Sequence, residues 1–335
     1  MTASPTTVFI SGATGFIAQH IITQLLTKGY SVVGSVRSTE KGESLVKIFN
    51  NPKFTFEVVK VLEKEGAFDE ALKKHSEVTV FLHSASPVTF NAEDNERDIL
   101  IPAIEGTKYV LKSIKEHAPQ ITRVVYTSSV VATGTPQEIS DPNFNGGETT
   151  WGSLTYDQSK ENGFAAYFGS KTFAEKAAWN FVETEKPNFT LSTVNPVYVF
   201  GPQNYHNGEK ELNASAQMVG NILKLKPDDA LPQLTGTFID VRDVAKAHIL
   251  AFETEKAQGK RFVLSNSRFD AEELVEVITK NIPELKQKLP AAKSTGDRAT
   301  GRSLLDDSNA RSILAIDYIS LEQSVTESIK QILGN

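Results

Sequence analysis

No cysteine occurs among the 335 residues. That absence removes disulfide frameworks, thiolate nucleophiles and thiolate metal sites, and it fits a reducing compartment. The six histidines, His20, His75, His83, His117, His206 and His248, include no close pair with metal-ligand spacing, so no metal site is expected. Long apolar runs are also missing: none approaches the ~18 residues that a membrane span requires. The opening "MTASPTTVFISG" has no basic stretch followed by an apolar one, so the expectation is a cytoplasmic chain without a secretory leader. The Asn-x-Ser/Thr triplets at Asn188 and Asn213 are then chance matches. Positive charge is in deficit, with a net charge of −6 that offers no general attraction to nucleic acid or anionic lipid. A small-molecule ligand is expected instead.

What is present is a strong alternation of short β-branched runs and longer helical patterns. "TVFISG", "GFIAQHIITQLLTKGY", "SVVGSV", "TEKGESLVKIFN" and "FTFEVVKV" read as βαβαβ. The alternation continues through "GAFDEALKKH", the strand "VTVFLHSAS", a long helix near 94 to 118 and the strand "TRVVYTSS". This predicts an α/β fold with a doubly wound parallel sheet and helices on both faces. A loop rich in Gly, Pro and Asn (134 to 155), a helix from about 163 to 186 and the strand "FTLSTVNPVYVFG" follow. Beyond Pro202 the pattern is more broken: a helical stretch near 211 to 225, a strand-helix pair in "KRFVLSN" and "AEELVEVITKNI", and a terminal helix near 321 to 333. The expected division is a Rossmann domain over 1–200, with returns near 237–265, and a smaller substrate-binding α/β lobe over 201–335.

The first strand ends in "SGATGFIA", where Gly12, Gly15 and Ala18 are spaced G-x-x-G-x-x-A. Glycine is needed where the backbone turns tightly and approaches a diphosphate, and the free N–H groups of the next helix hold the anion. The loop Gly12, Ala13, Thr14 and Gly15 and the helix start Phe16 and Ile17 are therefore candidate cofactor contacts. In a fold of this kind an acidic residue at the end of the second strand would take the ribose 2′-hydroxyl of NAD. Here that strand ends "SVRSTEK", placing Arg37, Ser38 and Lys41 where a 2′-phosphate would meet a guanidinium and an ammonium. The expected cofactor is NADPH.

Ser128 and Ser129 close the fifth strand, at the sheet edge where ligands of such folds sit. Downstream, Tyr-x-x-x-Lys occurs twice, as Tyr156 with Lys160 and Tyr167 with Lys171. With "SGATGFIAQHI", "VRSTEK", "LHSASPV", "IPAIEGTKYVLKSIK", "RVVYTSS", "YFGSKTFAEKAAW", "NPVYVFGPQ" and "FIDVRDVAKAHILAF", nearly the whole chain resembles the extended short-chain dehydrogenase/reductase family. Within it, the likeness is to the dihydroflavonol-reductase-like branch and the yeast NADPH-dependent methylglyoxal and aldehyde reductases.

A lysine four residues after a tyrosine, on the same helix face, favours the phenolate and is expected to lower the phenol's pKa from ~10. Ala174, Ala177, Ala178 and Phe181 give the helix after Lys171 an apolar face, whereas Asn162 and Gly163 interrupt helical structure after Lys160. Tyr167 and Lys171 are thus chosen as the reacting pair, with Tyr156 left as a lid or wall residue. The resemblance agrees, and it implies a catalytic hydroxyl at Ser129, a structural Ser128, and Lys171 and Tyr167 beside the nicotinamide ribose. It further implies cofactor contacts at Ala85, Ser86, Pro196, Val197, Val199 and Ser215. Val88, Phe90, Val130, Val131 and Tyr198 would line an apolar substrate pocket.

The implied activity is reversible reduction of a small-molecule aldehyde or ketone by hydride from the nicotinamide, with Tyr167 as general acid. One departure is Val61 and Leu62, which stand where relatives usually carry an acidic adenine contact. Two other functions share these motifs: sugar-nucleotide epimerisation or dehydration, and NADPH sensing without turnover. The epimerases generally supply arginines to a substrate diphosphate, and no arginine lies between Arg123 and Arg242. A monomer or homodimer is expected.

Overall fold

The computed structural model describes residues 6–86, 92–141, 143–204, 214–292, 301–302 and 304–334. Strands and helices alternate from the start: β1 (Thr7–Ser11), α1 (Phe16–Thr27), β2 (Ser31–Val36), α2 (Thr39–Phe49), β3 (Phe54–Val58), α3 (Asp69–Lys74), β4 (Val78–His83), α4 (Ile101–His117) and β5 (Arg123–Thr127). The short α5 (Pro136–Ser140), the long α6 (Gly163–Glu185) and β6 (Thr190–Pro196) follow. Then come β7 (Tyr198–Phe200), α7 (Ala214–Ile222), β8 (Thr235–Asp240), α8 (Val241–Glu253), β9 (Arg261–Leu264), β10 (Ser267–Asp270), α9 (Ala271–Asn281), β11 (Gly301–Arg302) and α10 (Leu321–Leu333).

Seven strands form one parallel sheet in the order β3-β2-β1-β4-β5-β6-β9. Its strands are apolar on both faces because helices cover both. The two-residue period sends Val8 and Ile10 of β1 to the face of Ile21, Leu25 and Val244. Phe9 goes to the other face, with Leu72, Val110, Ile114, Ala174 and Ala178. There the Phe9 and Phe81 rings stack at 5.1 Å between centroids. After β3 the chain crosses to the far side of β1 to lay down β4. This reversal of strand order opens a crevice at the carboxyl ends of β1 and β4.

A second sheet, in the order β11-β10-β8-β7, pairs β7 with β8 in parallel and β10 antiparallel to both its neighbours. Phe200, Phe238 and Phe269 form its core, under Val219 of α7, Leu274 and Ile278 of α9, and Val325 and Ile329 of α10.

Local structure departs from the sequence expectation at four places. The run "FTLSTVNPVYVFG" is two strands, β6 and β7, which leave for different sheets either side of Val197. The long helix near 94 to 118 begins as a π-helical turn, Glu96–Leu100, before α4. Pro102 lacks the N–H that an α-helix would direct at the carbonyl four residues back, which suits a wider turn there. The Gly- and Pro-rich loop contains α5, started by a capping box between Thr135 and Glu138. Of the segment 237–265, α8 and β9 return to the parallel sheet, while β8 belongs to the smaller one.

Candidate active site

The crevice is built first by the loop after β1. Gly12 adopts φ +70°, where a side chain is strained, and a Cβ there would stand 3.0 Å from the Ala85 Cα. Its N–H donates to Ser35 Oγ at 3.1 Å, and the N–H of Ala13 donates to the Ser35 carbonyl at 2.9 Å, tying the loop to β2. The Gly15 N–H turns back to the Gly12 carbonyl at 2.9 Å. Gly15 is the N-cap of α1 and brings no capping side chain, so the first N–H groups of α1 are left for an anion. Thr14 and Gly15 are exposed, Phe16 and Ile17 half-buried, and Ala13 buried.

Ser11 links this loop to the exit of β4. Its Oγ accepts the Ser84 and Ala85 N–H groups at 3.1 and 3.0 Å and lies 2.8 Å from His83 Nδ1. With its lone pairs so used, the hydroxyl gives its proton to Nδ1, which leaves hydrogen on Nε2 of a neutral imidazole. Burial, assisted by the Lys171 charge, pushes His83 down to about 3. At the end of β2, Ser38 caps α2 by accepting from the Lys41 N–H at 3.4 Å, and Arg37 and Lys41 are exposed. Of the two residues in place of an acidic adenine contact, Val61 is 47% exposed. Leu62 packs on α4, filling the space that a side chain at Gly106 would need.

The two Tyr-x-x-x-Lys copies have different surroundings. Asn162 caps α6 by accepting the Ala165 N–H at 2.9 Å, and the helix begins beyond it. Tyr156 and Lys160 therefore precede α6. Tyr156 hydrogen-bonds Glu96, and Lys160 pairs with Asp157 at 2.7 Å and with Glu96 at 3.9 Å. This copy fastens a surface turn to the π-helical start of α4. Tyr167 and Lys171 lie inside α6, where the hydroxyl of Tyr167 faces that of Ser129 closely enough for the serine to favour the phenolate. Ser129 lies two residues beyond the end of β5, is 8% exposed and caps a 3₁₀ turn by accepting from the Val131 N–H at 3.4 Å. Lys171 is 5% exposed, donates to Ser86 Oγ at 2.9 Å, and has its Nζ 6.0 Å from the centre of the Tyr167 ring.

The electrostatics correct the expectation of a lowered phenol. Burial raises Tyr167 above the ordinary tyrosine value, against the lowering effect of the Ser129 hydroxyl, and Tyr198 adds to the rise. Lys171 itself is lowered to about 8 by burial. Both groups lose hydration in the same crevice, and each is shifted toward its neutral form.

Around this centre, Pro196, Val197 and Val199 are buried beside β6 and β7, and Ser215 is half-buried near the start of α7. Val130 and Val131 belong to the core of the parallel sheet, at 6% and 9% exposed, rather than to an open wall. Tyr198 is 36% exposed, with its ring set edge-on to Phe269 at 5.9 Å and over Gly236. Val88 and Phe90 lie outside the described residues.

Three features had no place in the sequence reading: the Ser11–His83 pair, Glu175 and Arg261. Ser128 donates to Glu175 at 2.6 Å, and the Glu175 carboxylate also meets Arg261 at 2.7 Å, with both partners buried. The legible signal was a lone acid, Glu175, on the Ala174–Ala178 face of α6. A charge in such a face needs a partner.

The pattern of the NAD dependent epimerase/dehydratase family matches residues 8–265. The chain belongs to this family. It is 42% identical over 335 residues to the NADPH-dependent methylglyoxal reductase of Saccharomyces cerevisiae, covering 97% of this chain and 98% of that protein. It is 38% identical over 335 residues to a ketoreductase of Aspergillus niger, covering 97% of each. Among solved structures, the Gre2 protein of Candida albicans in complex with NADPH has a TM-score of 0.94 at 45% identity, over 98% of this chain and 99% of that one. The yeast methylglyoxal/isovaleraldehyde reductase Gre2 with NADPH has a TM-score of 0.93 at 41% identity, over 98% of both chains.

Proposed function

We propose that this family member is an NADPH-dependent reductase of small aldehydes and ketones, in which Ser129, Tyr167 and Lys171 act on the carbonyl group. The observation that carries the reading is the Tyr167 phenol facing the Ser129 hydroxyl, with Lys171 one turn along the same helix and held by Ser86, at the crevice bounded by Gly12 and Ala85. Two relatives that share its length are named as an NADPH-dependent methylglyoxal reductase and a methylglyoxal/isovaleraldehyde reductase with NADPH.

The crevice fits the cofactor. Gly12 and Gly15 leave room for a diphosphate, and the uncapped start of α1 supplies N–H donors for it. Arg37 and Lys41 would take the 2′-phosphate, Lys171 and Tyr167 the nicotinamide ribose, and Ala85, Ser86, Pro196, Val197, Val199 and Ser215 the remaining length. When bound, NADPH supplies the hydride that reaches the carbonyl carbon.

The chain's own residues manage the oxygen. Burial keeps the Tyr167 phenol protonated at neutral pH, as a general acid must be before it acts. Ser129 hydrogen-bonds the same oxygen and steadies its developing negative charge. As the phenol gives up its proton, the Lys171 ammonium favours the phenolate that remains. Tyr198, exposed on β7 at the edge of the smaller sheet, forms part of the substrate wall, and residues 201–335 we take as the substrate lobe. We take the enzyme to be cytoplasmic and a monomer or homodimer. Among the described residues no helix is long and apolar enough to cross a membrane.

The test is a panel of aldehydes, diketones and ketones followed by loss of NADPH absorbance. Turnover of at least one carbonyl class by wild type and its loss in Tyr167→Phe is expected. Binding of NADPH without turnover of any of them would favour a sensor over an enzyme.

A further inference from the structure

We infer that Glu175, acting through Asn195, is the positioning residue that sets Ser129 against Tyr167. The inference rests on the reductase reading, because it concerns the hydroxyl which that reading assigns to catalysis. Glu175 is fully buried on α6, at spacing i, i+4, i+8 with Tyr167 and Lys171, so the three share one face of the helix. Its Oε2 accepts from Ser128 Oγ at 2.6 Å and from Asn195 Nδ2 at 2.7 Å. Its Oε1 accepts from Arg261 Nε at 2.7 Å and from Trp179 Nε1 at 3.2 Å. Thr193 Oγ1 lies 3.1 Å from Oε1 and 2.9 Å from Asn195 Oδ1, and shares its single proton between them.

Asn195 carries the connection to the site. Its amide nitrogen has two hydrogens; one goes to Glu175 and the other to the Ser129 carbonyl at 3.1 Å. Ser129 is therefore held through its own backbone by an amide whose orientation Glu175 dictates, and its neighbour Ser128 is held by the same carboxylate. One acid thus joins the helix of Tyr167 and Lys171 to the strand end of Ser129 and to β6 and β9. Arg261 makes the arrangement electrically neutral, lying 3.9 Å over the Trp151 ring and donating to the carbonyls of Glu148 and Thr150 at 3.1 and 2.6 Å. A buried ion pair adds little net stability compared with apolar packing of the same volume. What this one adds is a fixed relation between α6, which carries Tyr167 and Lys171, and the end of β5, beyond which Ser129 lies.

A double-mutant cycle tests it. Asn195→Ala is expected to lower kcat about tenfold or more while the Kd for NADPH, read by fluorescence and used to count folded sites, stays within about twofold. In a Ser129→Ala background the same change should cost less than about twofold, because Asn195 then has no hydroxyl to place. A second readout is the alkaline rise of kcat in alcohol oxidation, which follows the Tyr167 phenolate. Since the Ser129 hydroxyl lowers that phenol, Asn195→Ala should move the rise to higher pH. Equal losses in both backgrounds, or an unmoved pH profile, would overturn the positioning role and leave the reductase reading intact. An unchanged kcat in Ser129→Ala alone would remove both. Should Asn195→Ala fail to fold, Ser128→Ala runs the same cycle, since it deletes the 2.6 Å bond and nothing larger, with the same outcomes on either side.

Discussion

Lys171 Nζ donates to Ser86 Oγ at 2.9 Å across the mouth of the crevice, joining α6 to the exit of β4. This lysine, lowered by burial to about 8, loses its ammonium within the ordinary working range of the protein. An anionic cofactor beside it favours the protonated form, so by linkage the affinity for NADPH should fall as pH rises through about 8. The apparent Kd is expected to climb by up to about tenfold per pH unit above that point. Fluorescence titration from below to above pH 8 measures it. Lys171→Met should bind weakly and without this slope, and a flat wild-type profile would show that the ammonium takes no part.

The two tyrosine-lysine pairs separate cleanly by substitution. Tyr167→Phe keeps the ring and removes the acid, so kcat should drop by ~10²–10⁴ with NADPH binding retained. Tyr156→Phe removes only a surface hydrogen bond to Glu96 and should leave kcat and KM within about twofold. Steady-state kinetics of the two variants, side by side, decide which copy is chemical.

Arg37 stands at the end of β2, exposed, where an acidic residue would otherwise choose the unphosphorylated ribose. Charge-assisted hydrogen bonds are worth ~1.5–3 kcal/mol. Arg37→Asp should therefore cut kcat/KM for NADPH by about ten- to a hundredfold and leave or improve that for NADH. Equal preference before and after the change would place the 2′-phosphate elsewhere.

Gly12→Ala tests the cradle without touching a charge. The new methyl would sit 3.0 Å from the Ala85 Cα at a backbone angle, φ +70°, that alanine resists. Calorimetric titration should show NADPH affinity reduced at least about tenfold in a chain that still folds. Unimpaired binding would mean that the diphosphate does not pass over this turn.

Most of the frame was legible because its signals are local. The doubly wound sheet follows from runs such as "TVFIS" and "SVVGSV", apolar at successive positions, and the choice of Tyr167 follows from Asn162 and Gly163 marking where α6 begins. What escaped was long-range. Glu175 shows locally that it needs a partner, but Arg261 is 86 residues away and nothing in the sequence pairs the two, and Ser11 and His83, 72 apart, show no pattern in sequence. The direction of the Tyr167 shift escaped for a different reason. The spacing to Lys171 is visible in the sequence, but burial, the largest cause of the shift, depends on how the whole crevice closes.

Glu148 fastens the chain's later part to the edge of the parallel sheet. Its Oε1 accepts the N–H groups of Val263 and Ala310 at 3.3 and 3.1 Å, and its Oε2 that of Asn309 at 2.7 Å and the Ser308 hydroxyl at 3.3 Å. Burial nevertheless raises this carboxyl from 4.5 to about 7, outweighing the backbone donors that favour the carboxylate. Between those two values the folded chain holds a proton that the unfolded chain has released. Stability drawn from this site is therefore full below about 4.5 and is lost as pH rises toward and through 7. Glu148→Gln does not titrate, so the stability difference between wild type and variant isolates the effect. Urea unfolding of both at pH 5 and pH 8 should show the wild-type advantage shrinking at the higher pH, and an advantage that stays constant or grows would contradict the raised carboxyl.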